Sequence, residues 1–125
     1  MKELKIAATD DSPEIHLDSE SGTFLISGKS LPEDVVEFYQ PVLDWLEGYS
    51  SAPLEETAFD FKLIYFNTAS SKLILDILML LEEIHQKGHE VLIRWHSPET
   101  DEDMQDAGEE YAELVELPFK YITYS

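Results

Sequence analysis

Residues 59–85 read FDFKLIYFNTASSKLILDILMLLEEIH, and the point where this stretch breaks decides the fold. Phe59 to Phe66 predicts a buried strand with Phe59, Phe61, Leu63 and Tyr65 on one face. Asn67 and Thr68 interrupt it. From about Ala69 to His85 the apolar positions Leu73, Ile74, Ile77, Leu78, Leu80, Leu81 and Ile84 recur at helical spacing, with Lys72, Asp76 and Glu83 in a polar stripe. Asn67, Thr68 and Ser70 therefore fall where a helix begins. Such a start offers backbone N–H groups without intrahelical partners and the positive end of the helix dipole. A hydroxyl there is either a cap for those N–H groups or an acceptor for phosphate, which would add nearly two negative charges. Cap preferences favour the first role, and the residues alone leave both open.

The pattern repeats outward. Glu14–Asp18 and Thr23–Lys29 flank an SESG turn and predict a hairpin. Ser30 with Glu33 resembles a capping box for a helix that would bury Val35, Val36, Phe38, Tyr39, Val42, Leu43, Trp45, Leu46 and Tyr49. Pro41 lies inside that helix, where it removes a backbone donor and predicts a bend near Glu37, and Gly48 followed by Ser50-Ser51-Ala52-Pro53 predicts the helix end. Gly88 stops the second helix. Val91–His96 predicts a strand with Val91, Ile93 and Trp95 inward. Asp101–Val115 predicts an acidic helix packing through Met104, Ala107, Tyr111, Leu114 and Val115, and Phe119–Tyr124 a last strand. Alternating strands and helices imply right-handed crossovers and a largely parallel sheet. The expected fold is α/β, with one mixed sheet of about five strands, an N-terminal hairpin and three main helices. Residues 1–13 read as a flexible N-terminal arm and 14–125 as a single domain.

Composition removes several functions. The net charge is −19, from 27 acidic and 8 basic residues, which argues against nucleic-acid binding and against attachment to anionic membranes. Between Glu99 and Glu116 there are nine acids and no base. A solvated helix face accounts for them, and a surface that steers a basic partner is the functional alternative. No cysteine is present, which excludes disulfides and thiol chemistry. The N-terminus lacks an apolar signal core, and no apolar run reaches spanning length, so the expected compartment is the cytoplasm.

Four segments together resemble the SiaC family of bacterial regulatory phosphoproteins: SPEI at 12–15, SGKSLPEDVVEFYQPVLDWLEGY at 27–49, LIYFNTASSKLILDILMLLEEIHQKG at 63–88 and VLIRWHSPETDEDMQDAGEEYAELVELPF at 91–119. The resemblance covers nearly the whole chain in the same order. It implies a fold like that of STAS domains, the anti-sigma-factor antagonists, and a partner-switching role. It further implies that Thr68 is the phosphoacceptor, flanked by the switch motif Asn67, Ala69, Ser70, Ser71 and Lys72. Ala69 and Pro41 depart from the family pattern without touching Thr68. The partners implied are a cognate protein kinase, a PPM-type protein phosphatase and a diguanylate cyclase. The unmodified form would bind and activate that cyclase, and so control cyclic di-GMP and biofilm formation. An anti-sigma-factor antagonist using the same switch is the alternative, followed by a small-molecule enzyme.

Other chemistry is sparse. His85 and His89 have a metal-like spacing, but Gly88 between them ends the helix. His16 and His96 read as isolated. Asp101, Glu102, Asp103 and Asp106 lack the alternation and turn glycine of an EF-hand. There is no Gly-rich phosphate loop and no nucleophile elbow. The sequence thus predicts no catalytic residues, no metal site and no cofactor.

Overall fold

The computed structural model describes residues 2–125. It holds one six-stranded sheet and three helices. In chain order these are β1 (Leu4–Ile6), β2 (Glu14–Asp18), β3 (Thr23–Ser30), α1 (Val35–Tyr49), β4 (Glu56–Phe66), α2 (Thr68–Gln86), β5 (Glu90–Pro98), α3 (Glu102–Leu114) and β6 (Phe119–Tyr124). Spatial order follows chain order. The pairs β1–β2 and β2–β3 are antiparallel, and β3–β4, β4–β5 and β5–β6 are parallel. The mixed, largely parallel sheet is as expected, with one strand more. That strand, β1, lies within the expected arm of residues 1–13. Its three residues are too few to give a periodicity, and pairing with β2 is what orders them. Met1, the first residue of that expected arm, lies outside the described residues.

All three helices cover one face. Each parallel crossover adds the next strand on the same side, and right-handed connections in one direction deliver every helix to the same face. Phe24, Ile26, Phe59, Phe61, Leu63, Val91, Ile93 and Trp95 point into that layer and are buried. Their rings run in a chain, Phe24 on Phe59, Phe59 on Phe61 and Phe61 on Trp95, with centroids 6.3, 4.8 and 5.5 Å apart. Trp45 and Tyr49 of α1 close over Phe24, and Tyr111 of α3 lies against Trp95. Among the described residues no helix is long and apolar enough to cross a membrane.

The first helix runs through Pro41 and ends just past Gly48, at Tyr49 with Ser50 as its C-cap, as expected. Two expectations need correction here. Ser30 does not cap α1: it ends β3 and is buried, and Asp34 caps the helix instead, accepting from the Glu37 N–H at 3.1 Å. Tyr65 does not share a face with Phe59, Phe61 and Leu63. The β3–β4 register shifts between Gly28 and Lys29, so that Gly28 pairs with Leu63 and Lys29 with Tyr65. Gly28, at φ +116°, takes a conformation that other residues rarely adopt, and Ile64 becomes the extra residue of a bulge. One inserted residue inverts the alternation. Phe66 therefore turns toward Trp95 and Tyr111, while Tyr65 is 54% exposed.

Candidate functional site

The site is the junction between β4 and α2. The last paired residues of β4 and β5 are Phe61 and Trp95; beyond them Lys62 to Phe66 pair only with β3. The end of β4 thus projects as a rim, and the chain turns there into α2. Asn67 is the N-cap. Its backbone is extended (φ −86°, ψ 173°), and its side-chain oxygen accepts from the Ser70 N–H at 2.8 Å. Its own N–H donates to the Ser30 carbonyl at 3.2 Å, which ties the turn to β3.

Thr68 is the first residue of the helix and is exposed. Its hydroxyl makes no hydrogen bond among the described residues, whereas every other polar side chain from Asn67 to Ser71 is engaged. Ser71 Oγ donates to the Thr68 carbonyl at 2.7 Å. Ser70 is fully buried. Its hydroxyl donates to the Ser30 carbonyl at 2.9 Å and accepts from Ser30 Oγ at 2.8 Å. Ser30 Oγ spends its only proton on that bond, so the Tyr39 hydroxyl, 2.5 Å away, is its donor. A closed chain of hydroxyls therefore runs from α1 through β3 to α2, directly under Thr68. Burial pushes the Tyr39 phenol up to about 12, against the opposing effect of its bond to Ser30. From the third helix, the Tyr111 hydroxyl donates to the Ser71 carbonyl at 2.8 Å.

The charges around this turn are unusual for so acidic a chain. The first turn of α1 carries Glu37 and that of α3 carries Glu102 and Asp103, but the first turn of α2 carries no acid. Ala69 and Lys72 are both exposed. Lys72 makes no ion pair among the described residues, with Asp76 or any other acid. Two exposed apolar side chains, Ile64 and Tyr65, stand on the rim before the turn, and Val36 in the first turn of α1 is exposed as well. Val36 was expected in the core, as was Leu114, which is 65% exposed; Met79 is half exposed. In α1 and α3 the apolar stripe is wider than the sheet can cover.

The sequence identified Thr68, Asn67, Ser70, Ser71 and Lys72 as one cluster, and the structure keeps them together while separating their roles. It missed Ser30, Tyr39 and Tyr111. No sequence signal marks these, because the contacts of Ser30 with Ser70 and of Tyr111 with Ser71 each span 40 residues. The histidines read as isolated are not: His16 lies 2.5 Å from Glu3, and His96 lies 2.7 Å from Asp60. Glu3, His16 and Asp18 bring their ligand atoms within 4.8 Å of one another at the β1–β2 edge.

Comparison with known proteins gives a consistent result. The family model described as SiaC family regulatory phosphoprotein matches residues 6–124. An uncharacterized protein of Pseudomonas aeruginosa strain UCBPP-PA14 is 37% identical over 119 residues, which is 95% of this chain and 94% of that one. The crystal structure of apo-SiaC from Pseudomonas aeruginosa superposes with a TM-score of 0.89 at 35% identity, covering 98% of this chain and 99% of that one. A chain from the crystal structure of the diguanylate cyclase SiaD in complex with its activator SiaC, from the same organism, superposes with a TM-score of 0.90 at 36% identity, covering 97% and 99%.

Proposed function

Because the chain belongs to the SiaC family of regulatory phosphoproteins, we propose that it is a partner-switching regulator whose phosphoacceptor is Thr68 and whose unmodified form binds and activates a diguanylate cyclase. The observation that carries this reading is the Thr68 hydroxyl, exposed and unbonded at the first residue of α2, in a motif whose other polar side chains are all bonded internally or, like Lys72, bear no hydroxyl. Among the described residues no basic or acidic side chain bonds to that hydroxyl, so a general base for phosphoryl transfer to it would come from another protein, which supports a role as substrate of a cognate kinase. A PPM-type phosphatase would reverse the step.

The switch is local electrostatics. A phosphate on Thr68 stands over the start of α2, where the Thr68 and Ala69 N–H groups have no intrahelical partners and the helix dipole favours an anion. No first-turn acid opposes it, and Lys72 lies one turn on. The modified form is thus tolerated by the fold. The same phosphate adds about −1.5 to −2 charges and a hydration shell at the rim on which Ile64 and Tyr65 are exposed. A partner that covers those apolar side chains would have to strip water from the dianion, and its affinity falls. The crystallised complex of a relative with a diguanylate cyclase favours a cyclase effector over a sigma-factor regulator.

The experiment is mass spectrometry of the chain after incubation with its kinase, followed by titration of the cyclase with both forms. Phosphate is expected on Thr68, with markedly weaker binding of the modified form. Phosphate on another residue, or equal affinity of the two forms, would refute the reading.

A further inference from the structure

The edge of the sheet at β1 and β2 gathers metal-binding side chains that the sequence keeps apart. His16 and Asp18 are two apart in β2, so both stand on one face of the strand, opposite the buried Ile15 and Leu17. The antiparallel register sets Leu4 against Leu17 and Lys5 against His16, which brings Glu3, just before β1, across from Asp18. One ligand atom each from Glu3, His16 and Asp18 lies within 4.8 Å of the other two. The acidity of the chain does not produce this by chance encounter. With 27 acidic residues present, no other group of three His, Asp or Glu side chains converges so closely among the described residues.

The three side chains are also oriented in advance. Glu3 Oε2 lies 2.5 Å from His16 Nε2. Asp18 is held by the turn that follows β2: its Oδ1 accepts from the Glu20 N–H at 3.0 Å and its Oδ2 from the Ser21 hydroxyl at 2.9 Å. Each carboxylate oxygen keeps a second lone pair for a cation, and outer hydrogen bonds of this kind orient metal-binding carboxylates. The bond from Ser21, more than any other cause, holds the Asp18 carboxyl below its ordinary pKa, so it is ionised at neutral pH. The backbone before Glu3 is tied down as well, because Trp45 Nε1 donates to the Lys2 carbonyl at 2.7 Å. Lys5, the base directly across from His16, is exposed and makes no ion pair among the described residues, so its ammonium does not fill the site.

We infer that Glu3, His16 and Asp18 form a binding site for a divalent transition metal, with zinc the ion that fits best. Two carboxylates and a neutral imidazole carry two negative charges, which a dication neutralises. The imidazole nitrogen selects zinc and its neighbours over magnesium and calcium, which take oxygen ligands. Zinc sits about 2.0–2.1 Å from each ligand and spaces them roughly 3.3 Å apart, so the Glu3–His16 contact opens and the Asp18 carboxylate closes by side-chain rotation. Three protein ligands at an exposed edge leave a fourth position to water. β1 is three residues long and joins the sheet only through β2. A metal bridging Glu3 to His16 and Asp18 clips that edge strand in place. None of these residues belongs to the β4–α2 junction, so the site does not rest on the assignment of Thr68.

The test is calorimetric titration of the full, untagged chain with zinc chloride after stripping with a chelator, paired with proton–nitrogen spectra of the histidine rings. One zinc per chain is expected, at micromolar or tighter affinity, with shifts at the His16 ring and not at His85, His89 or His96. An excess of magnesium should not compete. Affinity should fall about tenfold or more in Glu3→Gln and in His16→Gln, and zinc should slow amide hydrogen exchange in β1 of the unaltered chain. Because the ring shifts are read in the unaltered chain, they decide the matter even if a variant folds poorly. No zinc bound at millimolar concentration, shifts at other histidines instead, displacement by magnesium, or unchanged affinity in both variants would each overturn the proposal.

Discussion

Asn67 and Thr68 divide two tasks that one hydroxyl is often asked to share. Asn67 caps α2, so Thr68 is free to present its oxygen. Replacing Thr68 with Ala removes no internal hydrogen bond and should change stability by less than about 0.5 kcal/mol, while abolishing phosphorylation and leaving cyclase binding largely intact. Asn67→Ala removes the cap and should cost about 1 kcal/mol. Urea titrations of the two variants check this; equal losses would mean that Thr68 shares the capping. Beneath them, Tyr39 carries a pH signature. Its phenol is held neutral up to about 12 in the folded chain, against 10.0 for an ordinary tyrosine. The unfolded chain therefore releases this proton first as pH rises. The resulting stability is fully present below pH 10 and is lost between about 10 and 12, on the order of 2 kcal/mol for this residue. Burial raises Tyr111 as well and adds to the same loss. Denaturation midpoints should fall as the pH is raised from about 10 to about 12, and Tyr39→Phe should flatten that fall.

At the scale of elements, the contact between α3 and β5 is the tightest constraint. The Trp95 indole donates to the Met104 carbonyl at 2.9 Å and lies flush against Gly108. A Cβ at 108 would come within 2.5 Å of Trp95 Cδ1, closer than any real contact, and the ring is too enclosed to yield. Gly108→Ala should therefore destabilise the chain by about 1–3 kcal/mol, although alanine is the better helix former. Thermal unfolding will show it. A stabilised variant would mean that α3 rides higher over the sheet than described. The β4 bulge is the other decisive local device. It sends Phe66 inward and Tyr65 outward, and so leaves an aromatic ring exposed at the end of β4, shortly before Thr68 in the chain.

For the whole molecule, the net charge of −19 is a standing cost to compactness. Screening should relieve it. The melting temperature is expected to rise as sodium chloride is added from low ionic strength to about 0.15 M, where the Debye length shortens to about 8 Å. A flat response would show that the acids are already spaced beyond mutual reach.

Periodicity alone located β2 to β6 and all three helices, since amphipathic spacing is a local property that the burial of each element reads directly. The break at Asn67-Thr68 was legible for the same reason: strand pattern, cap and helix pattern follow one another without a gap. Four features needed the third dimension. β1 is too short to carry a pattern and exists through pairing with β2. The bulge at Ile64 depends on Gly28 in another strand, so the chain's own alternation misplaced Tyr65. Ser30 looked like a cap in its local sequence, yet it is the Ser70 hydroxyl, 40 residues away, that fixes its role. Which of several hydroxyls is free to react was likewise decided by tertiary contacts. The Ser70 hydroxyl is engaged because the end of β3 converges on it, the Ser71 hydroxyl is engaged locally by the Thr68 carbonyl, and the Thr68 hydroxyl is exposed with no partner among the described residues.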